Sequence, residues 1–419
     1  MSPKRSVATL ATALVLALLS PLSARAATKY QVLHNFTACG KFDTDGCFPT
    51  GILTLDEVGN VYGAAGGGGG VGCEDNGCGI VCELTPHSNG KWSESVLHRF
   101  AGGQDGAFPD GGLVFDAAGN LFGAMAGNAG AARSGVFELS PSSHGWRNTV
   151  IYSPGGCCLV LGKTGSLYGG VGPGKYGAGA ISELVHSSNG WTLKTLYSFC
   201  DPNCGYGEGL GAPLTWDAAG NLYGTTFFGG NGPPKCPGSL GCGVAFQMTP
   251  NRDGSWKYHV LHRFAAFPTD GQYPNGGLAV DTSGSVYGVT AYGGVHGNGT
   301  VFKLMPSSGG HWKQTVLYDF PNCDSGCGPF WTPVFDRAGN LYGVGTGGLA
   351  NCQGYTCGVV FKLAPQAGGK WKYSVVHKFT GTDYGGFPNG VIIDDKGNLF
   401  GTTQAFGAFG YGVAFEITP

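Results

Sequence analysis

A seven-bladed β-propeller is the fold class this sequence predicts, and three observations predict it: a turn motif spelled seven times, a spacing near that of a four-stranded blade, and chain ends that complement each other. The motif reads DAAGNLFG from Asp116, DAAGNLYG from Asp217, DRAGNLYG from Asp336 and DDKGNLFG from Asp394. Alignment on it gives copies centred on Tyr62, Phe122, Tyr168, Tyr223, Tyr287, Tyr342 and Phe400. Neighbouring centres lie 46 to 64 residues apart, longer than a solenoid coil and close to one propeller blade.

Each copy then yields four strands in order. An apolar run ending in Asp, as in GGLVFD, GGLAVD or GVIID, predicts strand A. The x-x-Gly-Asn or x-x-Gly-Ser that follows has the chemistry of a tight hairpin with one residue at positive φ. NLYG therefore opens strand B. Beyond a glycine-rich loop, VFELSP or VFKLMP gives strand C, closed by its proline, and WRNTVIYS, WKQTVLYDF or WKYSVVHKF gives strand D.

The chain ends with VAFEITP, a strand C with no strand D after it, whereas KYQVLHNF near the start is a strand D with nothing before it. The two complete one blade. Closing the ring this way pairs the strand edges that an open stack would expose. The domain is thus expected to run from residue 27 to residue 419 as a single propeller.

The first 26 residues, with Lys4 and Arg5 ahead of an apolar stretch and Ala24-x-Ala26 at its end, have the layout of a secretory signal peptide. Nothing later approaches the roughly 20 apolar residues of a membrane span, so no membrane insertion is expected. A net charge of -2 with 12% charged residues argues against an electrostatic hold on nucleic acid. Eighty glycines are offset by 42% hydrophobic and 12% aromatic residues, enough for a packed core. Fifteen cysteines behind a signal peptide fit an oxidising, extracellular or periplasmic setting. A secreted monomer is the expectation.

The consensus GNLYGTT, GVVFKLAP, VVHKF resembles the GloVer tandem-repeat family of secreted bacterial proteins, across nearly the whole mature chain. That resemblance implies secretion and no particular reaction. The family has a choice of C-terminal anchors, and with the chain ending at Pro419 we expect none here.

The repeat also sorts structural residues from functional ones. His34, His98, His262 and His377 suggest metal ligands, but Tyr152, Tyr197 and Tyr318 hold the same strand D position, which asks only for a flat ring with a polar tip. Asp56, Asp116, Asp217, Asp281, Asp336 and Asp394 suit calcium less well than the amides of their own turns. Trp92, Trp146, Trp191, Trp256, Trp312 and Trp371 open successive D strands and are expected between blades, as are Phe48, Phe108, Tyr273 and Phe387 ahead of strand A. No metal or cofactor is assigned.

With antiparallel strands, the A-to-B and C-to-D turns share one face and are tight. The long B-to-C and D-to-A loops share the other, where binding groups are expected. Six short disulfides are expected on that face: Cys39 with Cys47, Cys73 with Cys78, Cys200 with Cys204, Cys236 with Cys242, Cys323 with Cys327, and Cys352 with Cys357. A zinc reading of these pairs lacks a clustered second pair. Cys82 stands where strand C has an aromatic and is read as a buried free thiol. Cys157 and Cys158 are adjacent, so a mutual bridge would be strained; pairing elsewhere and a labile bond both remain open.

Residues on the loop face that break the repeat are the candidates for ligand contact. Phe227 and Phe228, Tyr292 and His296, and Phe330 and Trp331 fall in copies four to six. Aromatic rings among Gly and Asn with few charges suit a neutral glycan or a protein partner. The competing reading is a carbohydrate-active hydrolase or lyase with Glu208 and His296 as acid and base. The sequence has no GxSxG elbow, HExxH or phosphate loop, and a binding module is favoured.

Overall fold

The computed structural model describes residues 28–419, apart from 38, 41–43, 71, 74–75, 128–132, 201–206, 208, 231–235, 237–240, 266–267, 269, 325, 349–350, 353 and 383. Residues 1–26, Cys204 and Glu208 therefore lie outside the described residues.

Seven antiparallel sheets form the seven blades. Blade 2 shows the pattern: Pro109–Phe115 innermost, then Leu121–Met125, Gly135–Ser142 and Gly145–Tyr152. The inner strand of blade 4 is reduced to Thr215–Trp216, and that of blade 5 is split into Gly271–Pro274 and Ala279–Val280. The last blade takes three strands from the chain's end and its outer strand from the start. Lys29–Asn35 pairs with Val413–Thr418, from Lys29 opposite Thr418 to Asn35 opposite Val413. No helix among the described residues is long and apolar enough to cross a membrane.

The motif's residues have distinct jobs. In blade 2 one oxygen of Asp116 accepts the backbone N–H groups of Ala118 and Asn120, and the other accepts the Asn120 amide at 2.8 Å. Asp56, Asp336 and Asp394 repeat this arrangement, which is the turn role expected of Asp. The turn glycine has φ 84° at Gly119, a conformation that costs glycine little. The glycine of NLYG has another reason. A Cβ on Gly224 would stand 2.6 Å from the Phe246 ring of strand C, so the missing side chain makes room for a fully buried phenylalanine.

Blades are joined by a second ring of phenylalanines. Phe36, Phe100, Phe199, Phe264, Phe320 and Phe379 end their D strands and are all 3% exposed or less. Each donates its N–H to a glycine carbonyl just before strand C, Gly79 for Phe100 and Gly243 for Phe264. Each then meets the next blade's core; Phe100 packs edge-on against Phe137 at 5.2 Å. The strand D tryptophans lie between blades as expected, Trp312 against Tyr223 at 6.4 Å and Trp191 against Phe122 at 5.5 Å.

Candidate functional site

Three contiguous cavities open around the loop-side mouth of the central channel, and residues that break the repeat line them. The first, about 310 Å³, runs between Phe227, Tyr292, Asn298 and Phe330. The second, about 370 Å³, shares Phe330, Asn275 and Thr346 with it and adds Trp331, Asn389 and Gln404. The third, about 450 Å³, shares Trp331, Gly211 and Ala212 with the second and reaches Asp110, Cys157 and Cys158. A larger cavity of about 620 Å³ opens on the tight-turn face. Its lining includes Asp56, Trp92, Asp394 and Phe400, which are repeat residues with structural work.

The inner strands position the mouth. Their register breaks into a bulge of one residue in blades 3 and 7 and of two in blades 1, 2 and 6, between Thr50 and Thr54, Asp110 and Val114, and Phe330 and Val334. Inside these bulges Gly51, Gly111 and Trp331 are equivalent, at φ 67°, 87° and 68°. A bulky residue in that region is an outlier that costs about 1–3 kcal/mol. Trp331 is held there by its N–H bond to the Asn275 carbonyl at 2.9 Å. Sequence reasoning put Phe330 and Trp331 among the loops; they lie in the innermost strand, Pro329–Phe335, half-buried. Trp331 packs partly against the core of blades 6 and 7 and lines cavities that also include residues of blades 2, 3 and 4.

The other candidates divide. Phe228 packs edge-on against Phe227 at 4.7 Å, Phe227 stacks on Tyr273 at 5.1 Å, and Tyr273 meets Tyr292 at 6.1 Å. Tyr292 is 57% exposed, so the cluster presents a ring to solvent. His296 lies apart from the cavity lining, its Nδ1 2.8 Å from Asp319 Oδ1. Asp319 also accepts the Val295 N–H. Sequence reasoning missed Asn275 and Gln404, for which repeat-breaking aromatics gave no cue.

Phe48, Phe108, Tyr273 and Phe387 have φ between 54° and 60°. Each donates its N–H to a carbonyl near the start of strand C in the neighbouring blade, Tyr411 for Phe48 and Cys357 for Phe387. That is a joint between blades, although the Phe48 ring is 44% exposed.

Five of the expected disulfides are present: Cys39–Cys47, Cys73–Cys78, Cys236–Cys242, Cys323–Cys327 and Cys352–Cys357. Cys200 is also disulfide-bonded, while its expected partner Cys204 is outside the described residues. Cys82, Cys157 and Cys158 are free. A hydrogen bond from the Cys158 thiol lowers the Cys157 pKa against the opposing effect of burial, and the same contact with burial raises that of Cys158.

The strand D rings form a second system, at the seams between blades. Tyr197 stacks on Tyr258 at 3.9 Å, Tyr318 on Tyr373 at 4.2 Å, and His377 on Tyr30 at 4.1 Å. At the other polar seams a His meets an Asp of the following loop: His98 Nε2 lies 3.1 Å from Asp105 and His262 Nε2 lies 2.8 Å from Asp270. Asn148 and Gln314 each donate to that Asp at 2.8 Å. At the seam that closes the ring the third member is an acid, Glu94, with His34 and Asp45. Their potential ligand atoms lie within 4.8 Å of one another.

Burial alone lowers His34, but the Asp45 hydrogen bond and the Glu94 and Asp45 charges carry it above its ordinary value. Burial likewise opposes Asp45, whose bonds from His34 and Thr37 bring it down to about 2. Burial pushes Glu94 up to about 7, with His34 opposing and Asp45 adding.

Residues 234–419 match the model of the Gloeobacter/Verrucomicrobia repeat. Over those residues the chain carries this family's repeat. No curated protein matches it. Among solved structures it is similar to an ancestral GH74 enzyme, at 9% identity and a TM-score of 0.53 over 92% of this chain and 48% of that one. It is also similar to a protein of unknown function from Dyadobacter fermentans, at 11% identity and a TM-score of 0.43 over 93% and 98% of the two chains. A third is a putative oxidoreductase (glucose dehydrogenase) from Thermus thermophilus, at 13% identity and a TM-score of 0.42 over 94% and 100%. At such identities the likeness speaks for the fold alone.

Proposed function

We propose that this repeat protein is a secreted binding module that takes a neutral polysaccharide at the loop-side mouth of the channel, over blades 4 to 6. One observation carries the reading. The aromatic residues that break the repeat in three successive blades, Phe227, Tyr292, Phe330 and Trp331, line connected cavities beside the polar groups of Asn275, Asn298, Thr346 and Gln404. Sugar faces stack on such rings while hydroxyls bond amides and hydroxyl groups. A ligand without sevenfold symmetry needs contacts that lack it too.

Binding is favoured over glycoside hydrolysis by the carboxylates. Hydrolysis by the usual route needs two facing carboxyl groups, and Asp110 is the single carboxylate among the described residues lining the three cavities. A glycan array probed with the purified protein, followed by product analysis on every hit, tests the proposal. Retention without turnover, lost on replacing Trp331 with Ala, is the expected result. Released oligosaccharide would establish the enzyme reading, and binding indifferent to Trp331 would move the site elsewhere.

A further inference from the structure

The ring-closing seam departs from its two equivalents in a way that points to a ligand. In the others a neutral amide, Asn148 or Gln314, donates to the Asp, so only one carboxylate stands there, although Asn148 Oδ1 is itself buried without a partner. Glu94 occupies the same register, two residues past its strand D tryptophan, but an ionised carboxylate only accepts. Two carboxylates thus share one imidazole in a half-buried corner, and Glu94, whose Oε1 is buried without a regular hydrogen-bond partner, has only the weak donor of the Cys82 thiol beside it. Such an arrangement is unfavourable without a compensating positive charge.

The spacing has also changed. His34 Nε2 stands 3.3 Å from Asp45 Oδ2 and 3.7 Å from Glu94 Oε2, against 3.1 and 2.8 Å for the His–Asp contacts of the other corners. Tetrahedral ligands bound about 2 Å from a zinc ion lie about 3.3 Å apart. Asp45 is held in place on both oxygens, Oδ2 accepting the Thr37 N–H and hydroxyl at 2.8 Å and Oδ1 the Gly46 N–H at 2.7 Å. Supporting bonds of this kind orient metal ligands. The strand C residue facing this corner is Cys82, where most other blades carry a buried Phe.

We propose that His34, Asp45 and Glu94 bind one divalent transition-metal ion of the zinc type, with one imidazole and two carboxylate ligands and an open coordination position. The ligands come from the N-terminal strand Lys29–Asn35, from the loop after it, and from Trp92–Arg99 of blade 1. The ion would therefore tie together the segments that close the ring, giving closure a metal dependence that the other seams lack.

The test is zinc binding by the purified, chelator-treated full protein, read by calorimetry and by the melting temperature with and without zinc chloride. Wild type is expected to bind one equivalent and to melt higher with zinc. Glu94→Gln copies the Gln314 corner and should fold; it should lose zinc affinity by more than ~100-fold, beyond the ~10–100-fold that a missing supporting bond costs, and lose the thermal response. Should that variant fail to fold, His34→Tyr copies the rings at Tyr197 and Tyr318 and carries the same expectation. A wild type that binds no zinc, leaving the carboxylates to share a proton, would overturn the proposal. So would a variant that binds zinc as wild type does.

Discussion

The seams between blades and the channel mouth use the same aromatic residues to opposite ends. At the seams a tryptophan such as Trp312 recurs in most blades, packs on the preceding blade's tyrosine and obeys the repeat. At the mouth Trp331 occurs once, where blades 1 and 2 have glycine, and it takes a backbone conformation that suits glycine better. Recurrence marks what the ring requires, and departure marks where the ring has been spent on something else.

Ring closure is the most demanding seam, so its loss should have the largest effect. Deleting Lys29–Asn35 removes the core residue Leu33 and leaves Val413–Thr418 as an open edge. Exposed edges invite pairing with other chains. The expected outcome is aggregation, or a destabilisation of roughly 5 kcal/mol or more, a large share of a typical domain's stability. An unchanged melting temperature would show that the other six seams suffice. Next in size is Trp312→Ala, expected to cost roughly 3 kcal/mol in urea unfolding, near the lower end for a large aromatic because the indole is half-buried. A cost below ~1 kcal/mol would remove Trp312 from the structural side.

A third effect belongs to His377, which stacks on Tyr30 of the closing strand with its Nε2 buried and unpartnered. Burial lowers its pKa to about 4 from 6.5. As pH falls below 6.5 the unfolded chain takes up the proton first, so stability declines and the loss is complete below about 4. The shift corresponds to about 3 kcal/mol at most. His377→Tyr reproduces the Tyr318–Tyr373 pair and removes the titration. The variant should therefore gain on wild type by about 2–3 kcal/mol between pH 7 and pH 4 in denaturant titrations, and a constant difference would reject the assignment.

These residues also show how far the sequence could be read. The blade count, the closing strand, five disulfides and the free Cys82 were legible because each follows from a local pattern repeated or conspicuously broken: DxxGN, NLYG, two cysteines four to eight residues apart, a missing aromatic. The His/Tyr exchange in strand D was legible as structure, but not the Asp, Asn, Gln or Tyr that each ring meets, since those partners come from another blade. Glu94 escaped notice for that reason. Trp331 was recognised as exceptional but placed in a loop, because the bulged strand that holds it is set by pairing with Leu341–Gly345, not by its own neighbours.

The smallest stability effect and the sharpest functional one should coincide at Trp331. Alanine there would keep the positive φ and lose the indole's packing, whereas glycine would lose the same packing and relieve the backbone, which Gly51 and Gly111 show is native to this bulge. Trp331→Gly should therefore be more stable than Trp331→Ala by about 1 kcal/mol, reversing the usual order at an ordinary strand position, and should lie within about 1 kcal/mol of wild type because relieved strain offsets lost contacts. Both variants should bind the polysaccharide more weakly by about 1–3 kcal/mol, the usual loss of an aromatic anchor. Chemical denaturation and binding to a hit from the glycan array measure the two quantities separately. A glycine variant that unfolds would place Trp331 with Trp312 among the residues the ring needs, and one that binds like wild type would leave the strained backbone at the mouth without a function.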